Sequence, residues 1–231
     1  MIEIKILEGT TINPLQCIGS RAGICCNADI SNTEKNIERA RDCIVSGHGR
    51  VLEFVNVEFV VTRISARAAR ELYTHIGGSP TRLQESTRYI SYEDFDYYSP
   101  LLPDTVKVGL KNLYDEAMKS AARFYRDLLN AGMSKEDAAN VLPLGMTTKV
   151  VMKTNLRMLE NLMNQRLCSR AYKEMREFSC RLYNELMKLN NEWKEICVNL
   201  FVPKCLKYGY CTENKSCNSE VKKETEWRKF V

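Results

Sequence analysis

Apolar and polar residues alternate from Ile2 to Leu7, the period of a strand with one buried face. A helical stripe follows over Thr33 to Val45, and Gly47 stands where such a helix would stop. The longest alternating run spans Val51 to Ile64 and sets Glu53, Val55, Val57, Phe59 and Val61 on one face of a strand. Ser65 is placed to cap a helix running through Ala68, Ala69 and Leu72 towards His75, which Gly77, Gly78 and Pro80 then break. A polar loop, GGSPTRLQES, leads to a short strand expected at Arg88–Tyr92. Beyond it the pattern turns helical. Val106, Leu110, Leu113, Ala117, Ala121, Phe124 and Leu128 keep a 3.6-residue stripe that Gly132 closes. Ser134 with Asp137 forms a capping box for a short helix that Pro143 ends. Thr154 to Arg166 and Ala171 to Leu189 continue the helical pattern, the latter through Met175, Phe178, Leu182 and Leu186. After Pro203 the periodicity fades. No repeat, low-complexity run or linker divides the chain. The pattern therefore predicts one α+β domain over residues 1–231, with antiparallel strands in the first half, a helical second half and a Cys-containing tail from about residue 203.

Composition narrows this picture. Apolar residues are 44% and charged residues 27% of the 231, which excludes a disordered chain and supplies a core that needs no staples. A net charge of +5 is too small to point to nucleic acid but suits anionic small molecules. No apolar run reaches the roughly 18 residues of a membrane helix. The opening MIEIKILEGT lacks the apolar block of a signal peptide, so a cytoplasmic protein with no membrane partner is expected. The ten cysteines then read as thiols or metal ligands rather than disulfides. Cys197, Cys205, Cys211 and Cys217 supply enough thiols for tetrahedral zinc, but their spacing lacks a tight C-x2-C knuckle. Reduced structural thiols are the preferred reading, and no metal is expected.

The richest chemistry lies in THIGGSPTRLQESTRY, residues 74–89, which gathers His75, Arg82, Gln84, Glu85, Ser86 and Arg88. Glycines there let a backbone approach a ligand, and serine and arginine donors suit phosphate. The plain alternative is a solvated turn carrying ordinary charges.

This stretch resembles the signature of flavin-dependent thymidylate synthases: Arg-His-Arg, seven spacers and Ser, continuing into Arg-Tyr. Here it stands as Thr74-His75-Ile76, nine spacers, Ser86 and then Thr87-Arg88-Tyr89. Three further segments follow the family's order. SGHGRVLEF (46–54) is similar to its His-Gly segment. AGMSKEDAANVLPLGMTTKVVMKTNLRMLENLMNQR (131–166) resembles its Leu-Pro-Leu and paired Asn-x-Arg steps, and AYKEMR (171–176) resembles its closing Trp-Glu-Ile-Arg. The departures are specific. Thr74 and Ile76 replace the two motif arginines, the loop is two residues longer, Glu71 stands for a glutamine, Lys149 for an arginine and Arg170 for a histidine. Each lost arginine–phosphate contact costs about 1.5–3 kcal/mol. Two such losses weaken an anionic ligand by about two to four decades unless Arg82, in the longer loop, replaces them.

The resemblance implies reductive methylation of C5 in the uracil of deoxyuridylate (dUMP) to thymidylate (dTMP). Methylenetetrahydrofolate would be the carbon donor and FAD, reduced by NADPH, the hydride carrier. It places Arg176 on a uracil carbonyl, and Glu71, Thr74, Gln84, Glu85, Ser86, Thr87, Arg88 and Lys149 around the nucleotide. FAD would meet His48, Arg50, Glu53, His75, Ile76, Arg82, Asn164, Arg166 and Arg170. No protein nucleophile is required, so a motif loop without cysteine is no obstacle. The resemblance also implies a homotetramer with shared active sites. Two other functions stay open: a reduced-flavin alkyltransferase acting on another pyrimidine nucleotide, and a non-catalytic nucleotide- or nucleic-acid-binding homologue.

Overall fold

The computed structural model describes residues 1–75, 81–100, 108–214 and 216–217. Ile76, the helix-breaking Gly77, Gly78 and Pro80, and Val106 of the helical stripe lie outside the described residues. In chain order the elements are β1 (Glu3–Ile6), α1 (Pro14–Cys25), α2 (Thr33–Val45), a 3-10 turn (Gly49–Phe54), β2 (Asn56–Ser65), α3 (Ala66–Thr74) and β3 (Thr81–Gln84). Then follow α4 (Val108–Asn130), α5 (Lys135–Ala138), a second 3-10 turn (Ala139–Val141), β4 (Thr147–Asn155), α6 (Leu156–Arg166), α7 (Lys173–Met187), α8 (Asn191–Leu200) and α9 (Lys204–Tyr208). The strands form one sheet in the order β1-β2-β4-β3. The pairing is antiparallel: Leu7 N donates to Glu58 O, Ala66 N to Met146 O and Leu156 N to Val55 O, each at 2.8 Å. This is the α+β class that the alternating and helical patterns predict.

The chain divides into two compact units. The first comprises Met1–Glu3, Val61–Thr74 and Leu83–Val150; the second comprises Ile4–Val60, His75–Arg82 and Val151–Val231. In the first, the Ser65 hydroxyl accepts from Ala68 N at 3.0 Å, capping α3 where the sequence placed a cap. Ser134 likewise accepts from Asp137 N at the start of α5. Tyr92, Tyr125, Ala138 and Met146 close its core, flanked by Phe95, Leu128 and Leu142. In the second, Trp193 is fully buried and donates from Nε1 to Thr11 O at 2.9 Å, while Phe59 and Phe178 meet with ring centroids 5.9 Å apart. Helices α1 and α2 cross so closely at Gly19 that a Cβ there would sit 1.7 Å from the Asn36 carbonyl oxygen.

Four expectations are corrected. The long strand begins at Asn56, because residues 49–54 turn as a 3-10 helix that buries Leu52 and leaves Phe54 exposed. Glu53 therefore shares no strand face with Val55. The strand expected at Arg88–Tyr92 is a turn: Ser86 O accepts from Tyr89 N and Ile90 N, and Ser86 Oγ accepts from Arg88 N at 3.2 Å. Such local bonds compete with a ladder, and the strand of this region is β3, upstream. The stripe expected to face a core on α4 is largely exposed, with Leu110 at 55%, Leu113 at 67% and Phe124 at 56%; Met118 and Tyr125 turn inward instead. Lastly, β4 interrupts the helical half.

Candidate functional site

The residues expected around the nucleotide, Arg176 excepted, fall in the first unit, and the described residues expected around flavin fall in the second. In the first unit α3 ends with the Thr74 hydroxyl donating to Glu71 O at 2.8 Å, a helix-end closure inside the motif. At the end of β3 the backbone turns beside β4. Glu85 N donates to Lys149 O at 2.9 Å, Lys149 N donates to Glu85 Oε2 at 3.1 Å, and Lys149 Nζ stands 3.5 Å from Glu85 Oε1. Gln84 reaches Thr148 Oγ1 on the same strand, at 3.4 Å. The Ser86 turn then sets Thr87 half-buried and Arg88 outward, where Arg88 pairs with Glu136 at 2.9 Å and lies over the Tyr89 ring. One short segment thus brings together Gln84, Glu85, Ser86, Thr87, Arg88 and Lys149. Both cations are held by carboxylates in exposed pairs worth under about 1 kcal/mol each. An incoming phosphate can replace such partners at little cost.

In the second unit His75 follows α3 directly and is buried, and Arg166 is the last residue of α6. Arg166 Nε donates to His75 Nε2 at 2.7 Å. Burial, with the Arg166 guanidinium beside it, pushes the His75 pKa down to about 4, so the imidazole is neutral at pH 7. Arg176, in the first turn of α7, donates from Nη1 to Ser169 O at 3.1 Å, tying α7 to the turn that carries exposed Arg170. Arg82 is half-buried on β3. His48 directly precedes the 3-10 turn, makes no side-chain cap and is exposed; it lines an open pocket of about 550 Å³ with Leu52, Glu160, Asn199 and Lys207, and Lys207 pairs with Glu160 at 2.6 Å. Arg50 is exposed nearby in sequence. The Glu53 carboxylate accepts from Arg157 Nη1 at 2.6 Å, and the Arg157 guanidinium lies against Gly49. Asn164 spends its buried amide on the end of α8 and the residues just after it; in the orientation that satisfies both its oxygen and its nitrogen, it donates to Leu200 O at 2.8 Å and Val202 O at 2.7 Å.

Arg157, of the Asn155-Leu156-Arg157 step, stands beside Glu53, and that step is the available sequence signal for it. Glu136, Glu160 and Lys207 had none. The cysteines gather no metal site among the described residues. Cys197 is buried in α8 and Cys217 is exposed. No described helix is long and apolar enough to cross a membrane.

The donor set of the second unit fits a flavin dinucleotide. Arginines 82, 166 and 170 carry the guanidinium groups that suit a pyrophosphate, and His75, a neutral imidazole, accepts one Arg166 hydrogen bond.

The sequence profile of the thymidylate synthase complementing protein family matches residues 9–190. A flavin-dependent thymidylate synthase of Saccharolobus solfataricus is 36% identical over 159 residues, which are 68% of this chain and only 60% of the archaeal protein. That of Pyrococcus furiosus is 29% identical over 206 residues, 86% of this chain and 83% of its own. Among solved structures, thymidylate synthase X of Helicobacter pylori with FAD and dUMP superposes with a TM-score of 0.65 at 20% identity, covering 85% of this chain and 99% of that one. A UMP/dUMP methylase of Streptomyces cacaoi bound with 5-Br dUMP gives a TM-score of 0.71 at 16% identity, covering 87% and 96%. These two show the fold.

Proposed function

Because the chain belongs to the thymidylate synthase complementing protein family, we propose that it converts dUMP to dTMP, taking a carbon from methylenetetrahydrofolate and using FAD reduced by NADPH. The observation that carries this reading is the family match over 9–190, a span that contains every residue assigned to the nucleotide and to the flavin. Two named relatives are flavin-dependent thymidylate synthases, and one structural neighbour holds FAD and dUMP.

Bound FAD supplies the hydride. The protein's own work is recognition and polarisation. Ser86 and Arg88 hold the nucleotide phosphate, with backbone donors near Thr87, and Lys149 adds a point charge. Their carboxylate partners Glu136 and Glu85 yield to the phosphate. Arg176 would polarise a uracil carbonyl and stabilise the negative charge that develops on its oxygen during the reaction. Arg166, Arg170 and Arg82 would bind the flavin's anionic pyrophosphate, and His48 and Glu53 would contact the flavin. The chain assembles as a homotetramer with shared sites. The exposed side chains of Leu110, Leu113 and Phe124 on α4 support this, since apolar stripes left open on one chain mark association surfaces.

A second reading keeps the chemistry and changes the nucleotide. Thr74 and Ile76 in place of two motif arginines favour it, because phosphate recognition there has been rebuilt. Titration with FAD tests the flavin assignment. Binding should bleach under NADPH without oxygen, and Arg166→Ala should weaken it about 10- to 100-fold, or about 1.4–2.8 kcal/mol. A colourless protein whose addition leaves FAD fluorescence unchanged refutes it. Competition between dUMP and UMP separates the two nucleotide readings.

A further inference from the structure

We infer that Lys135, the first residue of α5, is a further phosphate-binding residue of the nucleotide site, its ammonium standing at the turn that carries Ser86, Thr87 and Arg88. The inference rests on the nucleotide reading above and adds one residue to it. Because dUMP and UMP share the phosphate, it holds for either nucleotide.

Two contacts fasten α5 to this turn. Lys135 Nζ donates to Tyr89 O at 3.3 Å, and Arg88 Nε pairs with Glu136 Oε2 at 2.9 Å. The turn itself is closed by Ser86, whose carbonyl accepts from Tyr89 N and Ile90 N and whose hydroxyl accepts from Arg88 N. The Lys135 ammonium therefore ends one residue past Arg88, beside the stretch assigned to the phosphate. At the other end of its stem, Ser134 caps α5 by accepting from Asp137 N at 3.1 Å, which fixes where the lysine starts. The contact joins residues 46 apart, so no local pattern in the sequence announces it.

The partner sets Lys135 apart from the other cations of the turn. Arg88 faces Glu136 and Lys149 faces Glu85, so each must release a carboxylate before it meets an anion with its full charge. Lys135 faces a main-chain carbonyl, which orients the ammonium without neutralising it. The remaining acid of α5, Asp137, accepts from the Ser134 hydroxyl at 2.7 Å, inside the cap. A nucleotide monophosphate brings about −1.5 to −2 charges at pH 7. An ammonium has three N–H donors, and Tyr89 O takes one. Lysine binds phosphate as a point charge on a flexible stem, and Lys135 is exposed, so its head can shift from Tyr89 O to a phosphate oxygen with little rearrangement.

Calorimetric titration of the full chain with dUMP and with UMP, FAD present, tests this. Lys135→Ala should weaken the nucleotide about tenfold, as expected for losing one charge-assisted hydrogen bond. Lys135→Gln, whose amide still donates to Tyr89 O but carries no charge, should be as weak as Lys135→Ala. Lys135→Arg should stay near wild type. The gap between wild type and Lys135→Gln should narrow as salt rises from about 0.05 to about 0.5 M, because screening weakens exposed charges. Melting temperature should hardly move in the three variants, since the side chain is exposed. Native affinity in Lys135→Gln would mean that the side chain only holds the turn, and it overturns the inference. So do native affinity in Lys135→Ala, a Lys135→Arg as weak as Lys135→Gln, and a gap that salt leaves unchanged. In each of those cases wild type still binds, and the nucleotide reading stands. A wild-type chain that binds neither dUMP nor UMP overturns that reading and the role of Lys135 with it.

Discussion

Acidification should weaken this fold through His75 in a way that one substitution removes. An unfolded histidine titrates near 6.5, whereas burial and the Arg166 guanidinium hold His75 near 4 in the folded chain. The folded form therefore refuses a proton that the unfolded form accepts. The stability this confers is complete above pH 6.5, declines as pH falls, and is gone once pH passes below about 4. The difference between those pKa values amounts to about 3 kcal/mol, lost at up to about 1.4 kcal/mol per pH unit. That is a large part of the 5–15 kcal/mol typical of a domain. The assay is urea unfolding of wild type and His75→Gln at pH 7, 6, 5 and 4. Every other ionisable group is common to both proteins, so the difference between the two stabilities isolates His75. Whatever the gap at pH 7, it should shift by about 3 kcal/mol in favour of His75→Gln by pH 4. Parallel stability curves would refute a buried neutral imidazole held beside Arg166.

Three further outcomes follow from named contacts. Glu192 Oε2 accepts from Leu15 N at 2.7 Å and Gln16 N at 3.1 Å, capping α1 where Asn13 makes no side-chain cap; Glu192→Ala should lower unfolding stability by about 1–3 kcal/mol, and Glu192→Gln by less. Lys149→Ala should raise the dissociation constant for dUMP about tenfold in calorimetry while changing stability by under about 1 kcal/mol, because its pair with Glu85 is exposed. A chelator should leave melting temperature and activity unchanged, and stoichiometric zinc in the purified protein would reverse the reading of the tail cysteines.

The legible parts of the fold were those whose signal is local. Ser65 and Ser134 announce α3 and α5 because a cap and the amide it binds are three residues apart. The stripes of α6 and α7 read directly because their apolar faces meet a core. What stayed hidden depended on partners far along the chain. α1 opens at Pro14 with its cap supplied by Glu192, 177 residues from Leu15. β4 buries Thr148 and Thr154 and exposes Lys149 and Lys153, so its inward face is too polar to stand out. Tyr89 and Ile90 look like strand residues, but Ser86 spends its bonds on a turn beneath them. The α4 stripe is genuine, yet it faces outward, and periodicity cannot say what an apolar face meets. At the candidate site the motif order pointed to His75 and Arg166 separately. Their contact spans 91 residues and required the fold. Glu53 was placed on a strand face, and the 3-10 turn carries it to Arg157 instead.

Thymidylate formation tests the central claim most directly. Purified protein with FAD, NADPH, methylenetetrahydrofolate and dUMP, incubated without oxygen, should yield dTMP, with no product when FAD or the folate is withheld and much less with Arg166→Ala. Binding of FAD with no dTMP from dUMP, or product that forms equally well without flavin, would contradict it.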